Sequence, residues 1–203
     1  MKIVMNFIDG SISYDEFKNA LLNNDDIFNW LQSLLTDKML NDFDFYCCDF
    51  LRRHHHSLKE CILVDLGGQI RHMLNTHAFI SRYIQYALPE HPINPTDYYS
   101  KLFDLYIKSV PDCYGGAEVD DILSQIVMDT PNELSATKKV AWIKSKIKEL
   151  FPGKRPYWIQ AAEWPTHEGK PMMYIERKRD GDLFQYIFED ANSGKQRIVE
   201  QFA

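Results

Sequence analysis

The chain has 203 residues, 45% hydrophobic and 26% charged, with a formal net charge of −6, the profile of a soluble globular protein of one sizeable domain or one domain with a small appendage. Residues 1–153 hold 15 Lys/Arg and 21 Asp/Glu and so all of that charge, while 154–203 hold 8 of each; no basic stripe is available for nucleic acid, and the acidic part is compatible with a basic protein partner. No apolar run approaches the roughly 20 residues that span a bilayer, which excludes a membrane-spanning class.

The first nine residues carry one apolar run, too short for a signal peptide. The stretch MNFIDGSISYDEFKNAL, residues 5–21, looks like half a calcium loop, with Gly10 at the turn position and Glu16 six places later. That alignment, however, puts Met5 and Phe7 where oxygen ligands are needed. The same letters are better explained by an Asp9-Gly10 turn and a Ser13–Glu16 capping box that starts a helix carrying Phe17 and Leu21. Asn24-Asp25-Asp26 opens a second helix with Ile27, Trp30, Leu31, Leu34 and Leu35 at helical spacing. The pattern continues from 38 to about 55 through Leu40, Phe43, Cys47 and Leu51. A second capping box, Ser57 to Glu60, begins a helix that runs toward Gly67-Gly68.

A further helix is expected from about Ile70 to Leu88. Three prolines within 89–95 then force a loop. Thr96 or Asp97 caps a helix with Tyr99, Leu102, Phe103, Tyr106 and Val110 on one face, ended by Pro111. After a Gly115-Gly116 loop, Glu118 to Met128 reads as a short helix. Ser135 starts an amphipathic one with Val140, Ile143, Ile147, Leu150 and Phe151 inward, stopped by Pro152-Gly153.

Beyond that point the period becomes two. Tyr157–Gln160 reads as a strand. Met172–Lys178 and Leu183–Phe188 flank an Asp180-Gly181 hairpin signal, and Asn192-Ser193-Gly194 turns the chain into a strand from Gln196 to Phe202. The expected architecture is therefore α+β: a helical body, 1–153, and an antiparallel β-meander, 154–203, packed on it as one compact unit.

Few residues promise catalysis. Cys47, His54 and Cys61 are spaced by sevens, with Cys48, His55 and His56 close by, yet no Cys-x-x-Cys or His-x-x-x-His pair supports zinc. Four cysteines at this length make no disulfide framework and point to a reduced, cytoplasmic protein. There is no nucleophile elbow, Walker loop or His-Glu-x-x-His. Cys113 beside an unspecified histidine, His167-Glu168 and the pair Asp120-Asp121 are all better read as structural or solvated residues. No metal or cofactor is expected. The candidate recognition site is the loop and helix start around Gly115-Gly116, where Tyr114 is an expected exposed anchor among Asp112, Glu118, Asp120 and Asp121.

The tail resembles small bacterial immunity proteins of toxin–immunity loci. The matching residues are Trp158-Ile159-Gln160, Glu163-Trp164-Pro165, Gly169-Lys170-Pro171-Met172, Glu189-Asp190, Gly194 and Glu200-Gln201; residues 7–34 are also similar to the opening helices of such proteins. The resemblance covers about 75 residues and implies a non-enzymatic role: binding and neutralising a cognate toxin domain, as in contact-dependent growth inhibition. It brings no catalytic residue with it. The alternatives are an enzyme of another type with a pocket between helices, and an adaptor module.

Overall fold

The computed structural model describes residues 1–36, 58–64 and 66–203, with the backbone alone at Cys61 and Val64. The helix expected over 38–55, Ser57, Cys47, Cys48 and His54 to His56 lie outside the described residues. The chain divides into two compact units, Met1–Phe103 and Asp104–Ala203.

The first unit opens with α1 (Lys2–Asp9), a helix that the sequence reading did not assign. It has no side-chain cap at its start, so local signals are weak. Burial of Val4, Phe7 and Ile8, one helical face, holds it. Phe7 stacks on Phe17 at 4.0 Å between ring centres and meets the edge of His77 at 5.3 Å. Gly10 ends α1 in the left-handed region at φ 82°, and a Cβ there would stand 3.1 Å from Thr96. The expected turn at Asp9-Gly10 is therefore present, as a helix cap.

Ser13 caps α2 (Tyr14–Asn23) with the reciprocal bonds of a capping box, and Asn24 caps α3 (Asp25–Ser33) by accepting from the Asp26 amide. Next come α4 (Leu58–Val64) and α5 (Ile70–Ala87). The core of this unit is made by α5, which buries Ile70, Met73, Phe79, Ile80, Tyr83 and Ile84. Two tyrosines fix main-chain carbonyls here: Tyr83 Oη donates to Leu31 O in the last turn of α3 at 2.6 Å, and Tyr14 Oη to the loop carbonyl of Gly67 at 3.0 Å. The unit boundary falls inside α6 (Tyr98–Ser109), whose first amide bonds Thr96 Oγ1.

The second unit contains α7 (Ala117–Met128), α8 (Ala136–Leu150) and five strands. A short ribbon joins β1 (Thr166–His167) to β2 (Lys170–Pro171) through Glu168-Gly169, both at positive φ. The meander is β3 (Met173–Asp180), β4 (Leu183–Glu189) and β5 (Gln196–Phe202), antiparallel in that order. A bulge interrupts β3 between Tyr174 and Glu176.

Along β4, Phe184, Tyr186 and Phe188 face inward. Phe188 contacts Trp164, which contacts Phe151 at the end of α8 and Tyr114 at the entry to α7. The architecture is thus α+β, with the three-stranded sheet packed on helices. The units divide ahead of residue 153 because α7, α8 and the meander share this aromatic core. Among the described residues no helix is long and apolar enough to cross a membrane.

Residues 157–160 do not form the expected strand. Their main chain is held by side chains instead. Tyr186 Oη donates to Tyr157 O and accepts from the Ile159 amide, while Gln201 Oε1 accepts from the Ile159 and Gln160 amides at 3.2 and 3.1 Å. Gln201 Nε2 donates to Ala161 O at 2.7 Å. With those groups satisfied, the segment has no need of a strand neighbour.

Candidate recognition surface

The five residues singled out around Gly115-Gly116 have different surroundings. Asp112 and Asp121 are exposed. Tyr114 is not the exposed anchor expected: it is 5% exposed, its ring packed on Phe151 and Trp164, with the Arg155 guanidinium 5.3 Å from its centre. Burial raises its hydroxyl pKa, partly offset by Arg155. An aromatic beside a glycine pair reads as a loop residue in the sequence, and the rings that bury it come from distant segments.

Asp120 is half-buried and faces Tyr106, whose hydroxyl lies 3.5 Å away; burial, with Asp120 adding to it, keeps that hydroxyl protonated. Glu118 accepts a hydrogen bond from the Thr166 hydroxyl. Asp112, Glu118 and Asp121 thus remain surface carboxylates, Asp120 is half-buried against Tyr106, and Tyr114 belongs to the interior of the second unit.

Glu118 leads to a cleft of about 240 Å³ that the sequence reading did not find. It is bounded by the start of α7, by Glu163 to Thr166, and by Arg197 and Val199 of β5. Gly116 shapes it: this residue sits at φ 114°, in a region open to glycine alone, and the Trp164 amide donates to Gly115 O at 2.7 Å. The rim carries two exposed carboxylates, Glu118 and Glu163, against one exposed guanidinium, Arg197. The cleft therefore has a negative excess.

Alongside the cleft runs the free edge of β5. Ala203 N–H donates to Asp182 O, and Lys195 O accepts from Asp190 N–H. By the alternation of an antiparallel ladder, residues 197, 199 and 201 likewise turn their backbone groups to β4, and 196, 198, 200 and 202 turn theirs outward. Gln160 Nε2 takes the outward carbonyl of Phe202 at 2.8 Å, closing that end. The outward groups of Gln196, Ile198 and Glu200 have no partner among the described residues.

Their side chains share the solvent face of the sheet. There Ile198 opposes Ile187 and Phe202 opposes Leu183, 52% and 61% exposed at the β5 positions. Gln185 donates to Glu200 at 2.8 Å between these two apolar pairs. Arg197 and Ile198 were not singled out from sequence, and Glu163 entered only as part of the Glu163-Trp164-Pro165 motif. The signal available was that the last strand of a meander is an edge, whose outward backbone positions alternate.

The other chemical candidates are placed as follows. Cys113 is half-buried, and burial raises its thiol pKa against the opposing pull of Arg155, so it lacks the depressed pKa of a reactive thiolate. His167, the last residue of β1, lies 3.6 Å from Asp190. Among the described residues no group of three His, Cys, Asp or Glu is placed to hold a metal ion. The chain matches no family model, and comparison with curated proteins and with solved structures finds no similar protein.

Proposed function

We propose that the protein is a non-enzymatic immunity protein, which binds a cognate toxin domain in the cytoplasm and neutralises it. The observation that carries this reading is the exposed surface of the second unit. Ile198 and Phe202 stand open on the sheet, the outward groups of Gln196, Ile198 and Glu200 have no partner among the described residues, and the exposed carboxylates Glu118 and Glu163 of the adjoining cleft, with Asp112 and Asp121 elsewhere on the unit, favour a basic partner. The tail motifs similar to immunity proteins supply the frame for this surface. Trp158 Nε1 donates to Cys113 O, Trp164 Nε1 donates to Met172 O, and Gln201 holds residues 159–161. Those residues are a scaffold, and the role is assigned to what they display.

The test begins with the neighbouring gene: the reading expects one for a large secreted protein with a C-terminal toxin domain directly upstream, and that domain is then co-purified with this chain and used in a growth-rescue assay. A stable complex together with restored growth is expected. Toxin and chain that elute separately, with no rescue, would overturn the reading.

A further inference from the structure

The β5 edge and the adjoining cleft form one composite surface. An extended segment laid along Gln196–Glu200 would meet three residues with open amide and carbonyl groups, Gln196, Ile198 and Glu200. Because strand side chains alternate, one set from that segment would lie beside Ile198 on the solvent face. The other set would lie beside Arg197 and Val199, which line the cleft together with Glu118 and Glu163. The pairing length is limited, since Gln160 already occupies the carbonyl of Phe202.

We propose that the free edge of β5 docks an extended strand of a partner protein by main-chain pairing, and that this strand presents a basic side chain to the cleft. Main-chain hydrogen bonds supply the attachment, and the Glu118 and Glu163 carboxylates select the charge. A second copy of this chain is a poorer occupant: its β5 offers one Arg and one Glu and so no positive excess, and its basic β3 is interrupted by the bulge between Tyr174 and Glu176. The inference deepens the preceding reading and rests on it only in taking the strand to be the toxin's.

The test is amide hydrogen exchange followed residue by residue. The probes are two synthetic peptides of roughly eight residues, long enough for one strand, with valine alternating with lysine in one and with glutamate in the other. The lysine peptide is expected to slow exchange at Ile198 and Glu200 by about tenfold, the scale of one added hydrogen bond. Arg197 and Val199, already bonded to β4, should not change. The glutamate peptide should protect much less.

Ile198→Pro removes an outward amide without removing a β4 bond, as an edge position allows. It should abolish the effect while Val199 protection shows the sheet intact. Glu118→Gln combined with Glu163→Gln should erase the preference for lysine and keep the pairing. Failure of the lysine peptide to protect Ile198 and Glu200 overturns the proposal, as does equal protection by both peptides. Protection that rises with protein concentration alone assigns the edge to self-association and also overturns it.

The same exchange experiment with the upstream toxin domain separates the two readings. Toxin binding without protection at Ile198 and Glu200 removes the edge and leaves the immunity role. Peptide protection with no toxin binding removes that role and leaves the edge.

Discussion

Gln201 shows how much one side chain can organise. It is 1% exposed, and its amide bonds three consecutive main-chain groups, at Ile159, Gln160 and Ala161. Gln201→Ala should lower stability by roughly 2–4 kcal/mol, since partly buried backbone groups lose their partners. Urea unfolding followed by tryptophan fluorescence measures the loss. In the first unit, His77 is 5% exposed and its Nε2 lies 2.9 Å from Ile8 O, with the ring in contact with those of Phe7 and Tyr99. Burial lowers its pKa below 6.5, outweighing the hydrogen bond to Ile8. The folded state thus prefers neutral His77, and this contribution is complete above pH 6.5 and lost as pH falls through the lower folded value. Urea midpoints should therefore decline from neutral pH toward pH 5, approximately the range over which an unperturbed imidazole gains its proton. His77→Gln should flatten that part of the profile.

Elements with strong local signals were legible in the sequence. Ser13 with Glu16 and Asn24 mark the starts of α2 and α3 because capping needs only neighbouring residues. Asp180-Gly181 marks the β3–β4 turn, where Gly181 has φ 59°. The failures share a different cause. Helix α1 is held by Phe17 and the rest of its unit, and residues 157–160 are held by Tyr186 and Gln201, so neither carries its reason locally. The anchor of the candidate site suffered likewise: the exposure of Asp112 and Asp121 followed from polarity, whereas the burial of Tyr114 depends on Phe151 and Trp164. Gly116 belongs at this scale, since it joins the α7 entry to the 163–165 segment. Gly116→Ala should cost about 1–3 kcal/mol for its φ of 114°. Thermal unfolding would record it, and an unchanged midpoint would show that the loop relaxes freely.

For the molecule as a whole, charge and composition fixed less than topology does. The negative excess is real at the level of the sequence, but it acts where the fold gathers Glu118 and Glu163 against a single Arg197. The two edges of the meander are also unlike. At β5 the outward amides run in regular alternation. At β3 a bulge breaks the ladder, and Arg177, Lys178 and Arg179 follow one another. An open strand is ordinarily an aggregation hazard, since each added chain can offer a fresh edge to the next. Here a head-to-tail stack would have to seat a regular β5 on a β3 whose ladder is broken between Tyr174 and Glu176. The basic run of β3 suits the carboxylates of the cleft, so what opposes a growing stack is the bulge and not the charge, and smoothing that bulge is the change that would turn an adhesive edge into a fibre-forming one.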